Sequence, residues 1–253
     1  MRGLSFKATE AIEKIIQKQF DDISLRFLGL IPKVTKQKRI VFSTSKNNIM
    51  SLFFQSLGTS TPNQLEKQTI RTLMRIASGY IDGLKERTTA RVINNVDSYI
   101  KNKSSQEEPV EANEVSEIVS MEMDKAKHQF KMIANTESNK ASNTGTALQI
   151  TRIAEKKNIK DPTVFFIVTV DDVTGSEEFK LHLMPDRKTP RVWKLSEIAH
   201  GYHKKGDSEP KIGGLHPNCR CKLTYLAEGW GFDAGGRVKF ISLDHDELKA
   251  QRK

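Results

Sequence analysis

Cysteine is nearly missing from this chain. Only two occur in 253 residues, Cys219 and Cys221, with one residue between them. A ring closed over so short a span is strained, so the expectation is a reduced thiol pair in a reducing compartment, not a disulfide staple. Long apolar runs are missing too. The longest is about Val164 to Val168, far short of the ~20 residues that span a bilayer. The first 20 residues alternate charged and apolar positions, so no secretory leader is expected. Apolar content is low at 37% and aromatic content is 7%. That composition suits an elongated or partner-bound protein better than a thick-cored enzyme. The glycine-rich stretch Gly229 to Gly236 lacks the Gly-Lys-Ser/Thr of a phosphate loop, and no internal repeat is present.

Positive charge is plentiful. The formal net charge is +10, which favours polyanions such as nucleic acid, an anionic membrane or an acidic protein surface. A simply basic soluble protein is the plainer reading. Apolar residues at Ala8, Ala11, Ile12, Ile15, Ile16, Phe20, Ile23 and Phe27 recur every three or four positions and predict an amphipathic helix from Leu4 to Phe27. The basic cluster Lys33, Lys36, Lys38 and Arg39 follows and offers phosphate contacts, or else a solvated loop. Residues 40–57 are ambiguous, with Ile49, Leu52, Phe53 and Phe54 suggesting a helix from near Ser45 that Gly58 stops. Residues 59–63 read as a turn and helix cap. A helical pattern then runs from Gln64 to Lys101, with Gly79, Gly83 and Thr88-Thr89 expected to break it.

The polar stretch 104–112, which contains Pro109, is the best linker. It divides a helical region at 1–103 from a domain at 113–245, with a charged tail at 246–253. Helix resumes near Asn113 and carries to Lys157, with a kink expected near Gly145. After Asn158 the period becomes two. Val164 to Val170 is a strand, Leu181, Leu183 and Val192 to Leu195 are short strands or arms, and Val238 to Leu243 is the last strand candidate. Trp230 and Phe232 are expected to be exposed. The fold class is α+β, a helical N-terminal half followed by a small β-rich module.

That module closes on His216-Pro217-Asn218-Cys219-Arg220-Cys221. The preceding Gly213-Gly214 bends the chain, Pro217 fixes φ, and Asn218 bonds neighbouring backbone groups. Leu223 and Tyr225 continue an alternating segment. In a strand, positions i and i+2 share a face, so both sulfurs look one way and Arg220 the other. One of the carboxylates of Asp171, Asp172, Glu177 and Glu178 is the expected partner that locks the arginine.

The His-Pro-x-Cys-Arg-Cys block resembles the signature of the phage Mu F-like head morphogenesis family, the minor head proteins of tailed bacteriophages. Ile133-Ala134-Asn135-Thr136-Glu137, followed by Ala141 and Asn143-Thr144-Gly145, resembles a second mark of that family, which usually has arginine at the place of Asn135. Val170-Asp171-Asp172-Val173-Thr174 resembles a third. There the family continues into a Cys-x-x-Cys, whose places Gly175 and Glu178 hold in this chain. The likeness covers roughly Asp124 to Leu226. It implies a non-enzymatic virion protein, made in the host cytoplasm and housed inside the head near the portal vertex. Its partners would be the portal protein and packaged double-stranded DNA, in several copies around the portal, with major capsid or scaffold protein as a further partner class and no membrane. The role implied is head assembly, genome ejection or both. Some relatives carry a fused toxin domain. Only about 25 residues follow Leu226 here, too few for a domain of about 50 or more.

Two other function classes stay open. Zinc suits His216, Cys219 and Cys221, with a fourth ligand from His182, His200 or His203, and would make the chain a zinc-stabilised DNA-binding module acting in the infected cell. Against that, Cys-x-Cys has a tighter bite than the usual Cys-x₂₋₄-Cys, and a thiol pair packed under a turn needs no metal. A virion-borne enzyme would use a Cys219–His216 pair, but no third orienting residue or oxyanion-hole motif accompanies it. Asp171-Asp172 with Glu177-Glu178 reads either as hard-cation ligands or as a solvated hairpin tip.

Overall fold

The structure, a computed structural model, describes residues 6–28, 32–34, 40–42, 49–59, 61–171, 174–204 and 206–241. The chain divides into two compact units, one comprising Met1–Ser45 and Met74–Ala134, the other Lys46–Leu73 and Asn135–Lys253. The architecture is α+β, with long helices first and short antiparallel strands later. No helix among the described residues is long and apolar enough to cross a membrane.

The first unit contains helix α1 (Phe6–Leu28), the hairpin β1 (Pro32–Val34) and β2 (Ile40–Phe42), most of α3 (Gln64–Ser105) and the first half of α4 (Ala112–Lys157). Ile16, Phe20, Ile81, Leu84, Val92, Val96, Met123 and Ala126 form its core. The spacing of three and four in each helix puts these residues on one face, and their burial drives the association. Glu122, also buried, lies 3.0 Å from Arg91 Nε and 2.5 Å from Lys125 Nζ. The expected break in α3 is absent. Tertiary packing of Leu84 and Val92 carries the helix through, and the buried Thr88 hydroxyl donates to the Leu84 carbonyl at 2.8 Å. The 104–112 stretch is a helix–helix turn inside this unit, where the Glu111 N–H donates to the Tyr99 hydroxyl at 3.2 Å.

The second unit contains α2 (Ile49–Leu57), the start of α3 and the C-terminal half of α4. Gly58, at φ +68°, ends α2 with its N–H on the Phe54 carbonyl at 3.1 Å. Asn63 and Glu66 then open α3 with a reciprocal box. The Glu66 N–H donates to Asn63 Oδ1 at 2.9 Å, and the Asn63 N–H to Glu66 Oε2 at 2.7 Å. Arg152 of α4 pairs with the same Glu66. Gly145 marks no break in α4. A Cβ there would fall inside van der Waals contact of the Phe53 carbonyl and 3.2 Å from the Leu57 nitrogen, so its glycine lets α2 approach α4.

The sheet of this unit has the order β4-β3-β5, all antiparallel, from β3 (Thr163–Ile167), β4 (Val192–Lys194) and β5 (Lys222–Tyr225). Val164 pairs with Trp193 on one side, and Phe166 with Leu223 on the other. Both faces of β3 are covered. Val164 and Phe166 join Ala147, Ile150, Ile198, Ile212 and Leu223, whereas Phe165 joins Val192 and Leu226. Strand β3 stops at Ile167, short of Val170, because its last partner is Lys222 and the chain before Lys222 is turn. Leu181 lies in helix α5 (Ser176–His182), not in a strand. The Glu178 carboxylate reaches back to the Gly175 N–H at 2.7 Å and starts that helix. A final hairpin pairs β6 (Trp230–Phe232) with β7 (Val238–Phe240). Trp230 is exposed as expected, but Phe232 packs edge-on against Phe165 at 5.0 Å. Leu243 and residues 246–253 lie outside the described residues.

Candidate functional site

The site belongs wholly to the second unit and is built on one helix face. Asn135, Asn139 and Asn143 follow each other at intervals of four on α4, so they form a single stripe. Each asparagine faces the turn that carries the cysteines. Asn135 Nδ2 donates to Asn218 Oδ1 at 3.2 Å. Asn139 Nδ2 and Asn143 Nδ2 both donate to the Cys221 carbonyl, at 3.2 and 3.1 Å. Asn143 Nδ2 also reaches the Ile212 carbonyl at 3.3 Å, while its Oδ1 accepts from the Leu223 N–H at 3.1 Å. Thr136 adds a fourth peg, accepting from the Asn218 N–H at 3.0 Å. Buried backbone groups that no strand pairs are thereby satisfied from a helix.

The turn itself needs unusual backbone. Gly214 has φ +94°, and a Cβ there would sit 2.9 Å from Cys219 Cβ. Asn218 has φ +62°, which asparagine tolerates better than most residues. The Cys219 N–H closes on the His216 carbonyl at 3.1 Å. The cysteines lie just before β5, not within it, yet the expected sidedness holds. Both sulfurs are buried, and Arg220 is exposed and pairs with Asp171. Asp172 lies outside the described residues, and Pro217 is exposed.

Beneath the turn lies Glu178, which is buried at 5% exposure and so is not the solvated tip expected of its acidic run. Its Oε1 lies 3.4 Å from Cys221 Sγ, 3.9 Å from Cys219 Sγ and 3.2 Å from His216 Nε2. Glu178, Cys219 and Cys221 have ligand atoms all within 4.8 Å of one another, and this is the set among the described residues that meets that spacing. His216 Nδ1 is 2.8 Å from the Pro217 carbonyl. The two thiols perturb each other. A hydrogen bond from Cys221 holds the Cys219 pKa down at about 6 against burial, and the Cys221 pKa is raised correspondingly. Burial opposes the His216 imidazolium, but the Pro217 carbonyl and Glu178 outweigh it and raise its pKa. The cluster opens on a cleft of about 660 Å³, lined among others by Asn135, Asn139, Thr174 and His216.

The histidines expected as fourth ligands stand apart from this set. His200 is exposed. The His203 side chain is buried, 3.7 Å from Glu177 and 3.9 Å from Asp207. His182 is fully buried and stacked on Phe166 at 4.3 Å, with no hydrogen bond of ordinary geometry to either ring nitrogen. Burial, then the charges of His203 and His216, push its pKa down to about 3, although the Leu181 backbone slightly favours the charged form.

Glu137 serves another contact. It accepts from the Tyr202 hydroxyl and lies 3.8 Å from Lys140 Nζ, which in turn sits 4.4 Å from the Tyr202 ring centroid. Burial raises the Glu137 pKa and lowers that of Lys140. Of the basic cluster, Lys33 falls in β1, and Lys36, Lys38 and Arg39 lie outside the described residues. Sequence reasoning missed Asn139, named Asn143 only as part of the resemblance, and read Glu178 as a hard-cation ligand or a solvated tip and not as the partner of the cysteines. The four-residue spacing of asparagines in a helix was the available signal. No family model matches the chain, and neither a curated protein nor a solved structure matches it.

Proposed function

We propose that this chain is a minor head protein of a tailed bacteriophage, a structural and non-enzymatic virion component. It acts beside the portal and the packaged DNA, in head assembly, genome ejection or both. One observation supports the reading above the rest. The three short sequence marks that resemble the Mu F-like family lie 25 or more residues apart, yet they meet in one knot. Thr136 accepts from the Asn218 N–H, Asn143 donates to the Cys221 carbonyl, and Asp171 pairs with Arg220. Residues that only happened to resemble a motif have no reason to touch one another. Both sulfurs are buried, at 2% and 1% exposure, which suits a fastening more than a nucleophile. The charge of +10 favours life next to DNA.

The test is a mass-spectrometric and cryo-electron-microscopic inventory of purified virions from cells expressing this chain. The expected result is a few copies at the portal vertex, touching portal and DNA. Absence from virions, with synthesis during infection, would overturn the reading and favour a cellular DNA-binding role.

A further inference from the structure

We propose that Glu178, Cys219, Cys221 and His216 form a site for one thiophilic divalent cation of the zinc class, bound through two thiolates, a carboxylate oxygen and an imidazole nitrogen. The inference stands on the geometry of the cluster and not on the virion reading.

The spacing fits. With zinc–sulfur bonds of about 2.3 Å and zinc–oxygen or zinc–nitrogen bonds of about 2.0 Å, a tetrahedral site has sulfur–oxygen edges of about 3.5 Å and nitrogen–oxygen edges of about 3.3 Å. Glu178 Oε1 stands 3.4 and 3.9 Å from the sulfurs and 3.2 Å from His216 Nε2. The two sulfurs and the oxygen satisfy the mutual limit of 4.8 Å, whereas His216 lies outside that set, so its ring must turn toward the sulfurs to complete the site.

The surrounding contacts aim the ligands. The other carboxylate oxygen, Oε2, accepts from the Gly175 N–H at 2.7 Å, which leaves Oε1 turned to the sulfurs. His216 Nδ1, as the N–H tautomer, donates to the Pro217 carbonyl at 2.8 Å, which leaves the Nε2 lone pair facing the cluster. Such a backbone acceptor on the far nitrogen is the usual arrangement of a metal-bound histidine. The Asn139 and Asn143 amides fix the Cys221 carbonyl and so the position of the second sulfur. Three ligands are nearly sealed from water, and the partly exposed His216 lines the same cleft beside them. Soft sulfur with one nitrogen and one oxygen selects a borderline cation of the zinc class over magnesium or calcium.

The competing state is a pair of protonated thiols that donate to the carboxylate, and cobalt separates the two. The full chain, reduced and stripped of metal, is titrated with Co²⁺ and then with Zn²⁺. The expected result is one equivalent of cobalt, a sulfur-to-cobalt charge-transfer band, intense visible d–d bands of tetrahedral character, and full displacement by zinc. Cys219→Ser and Cys221→Ser each weaken the charge-transfer band. Glu178→Gln and His216→Ala keep it but lower cobalt affinity about tenfold or more. Wild-type protein that is folded and reduced yet shows no charge-transfer band at excess cobalt overturns the proposal, whatever the variants do. A band unchanged in both serine variants overturns it as well. Wild-type affinity in His216→Ala removes that residue as the fourth ligand.

Discussion

Asn143→Ala should loosen the cysteine turn without touching a sulfur. The side chain is fully buried and holds three backbone groups. The Cys221 carbonyl keeps its second donor from Asn139 at 3.2 Å. The Leu223 N–H and the Ile212 carbonyl lose their partner. Each buried unsatisfied group costs roughly 1–3 kcal/mol, so about 3 kcal/mol is a conservative total. If that cost falls on the closed state of the turn, its opening equilibrium rises about a hundredfold, at about 1.4 kcal/mol per factor of ten. Cys219 and Cys221 are the only thiols in the chain, so their labelling by an aromatic disulfide reads that opening directly. Metal-free Asn143→Ala should label about a hundredfold faster than wild type. Asn135→Ala breaks only the exposed bond to Asn218 and should change the rate about threefold or less. Asn143→Asp keeps the acceptor for Leu223 but turns a second oxygen toward two carbonyls, so it should label at least as fast as the alanine variant. A rate for Asn143→Ala within about threefold of wild type, or equal to that of Asn135→Ala, refutes the argument that buried satisfaction holds the turn.

Gly145→Ala gains roughly 1 kcal/mol in helix propensity. Its Cβ would press on the Phe53 carbonyl, Ser56 and Leu57, so a net loss of about 1–3 kcal/mol is expected as a lower urea midpoint. A higher midpoint would show that α2 yields freely. Arg152→Met leaves the buried Glu66 carboxylate, among the described residues, with only the Asn63 N–H. It should cost about 2 kcal/mol or more, part of which Glu66→Gln restores in a double-mutant cycle, and additive losses would deny the coupling. The depressed pKa of His182 has a definite sign. The unfolded chain binds a proton below about 6.5 that the folded chain refuses until about 3. Stability is therefore complete above that window and falls by about 1.4 kcal/mol per pH unit as pH drops through it. In urea unfolding at pH 7, 6 and 5, His182→Phe should flatten that slope, and parallel wild-type and variant curves would exclude His182 as its source.

Much of the helical half is legible in the sequence. The spacing of Ile12, Ile16 and Phe20 marks α1, Gly58 marks the end of α2, and Asn63 with Glu66 opens α3. These are local signals, and nothing distant overrides them. Gly79, Gly83 and Thr88 mislead because propensity costs of about 1 kcal/mol or less per residue are outweighed by continuous packing on either side. Leu181 and Leu183 alternate like a strand, but Glu178 caps a short helix there, and capping by a side chain three residues on is invisible to an alternation count. A polar stretch with Pro109 looks the same whether it joins two domains or turns one helix back beside another. In the site, the sidedness of Cys219 and Cys221 follows from period-two geometry, and Arg220 meets one of the four acidic residues expected for it. The buried helix face opposite them does not. From Asn135 to Thr144 that face is Asn139, Lys140, Asn143 and Thr144, which hydrophobic periodicity reads as solvent.

That buried polar face also explains how a chain so poor in apolar residues specifies one arrangement. Apolar contacts tolerate sliding, whereas a carbonyl held by two amides does not. The hydrogen-bonded turn and the cation site are thus distinct layers of one device, and paired measurements separate them. Asn143→Ala changes how often the turn opens but leaves all four ligands in place. As long as the closed form remains the majority, apparent metal affinity falls only by the fraction of closed protein, which is close to one. Thiol labelling should accelerate sharply while cobalt binding hardly moves. Glu178→Gln should do the reverse, losing cobalt affinity while the asparagine stripe still closes the turn. If both variants shift both readouts together, the asparagines and the ligands are a single cooperative unit, and the layered account is wrong.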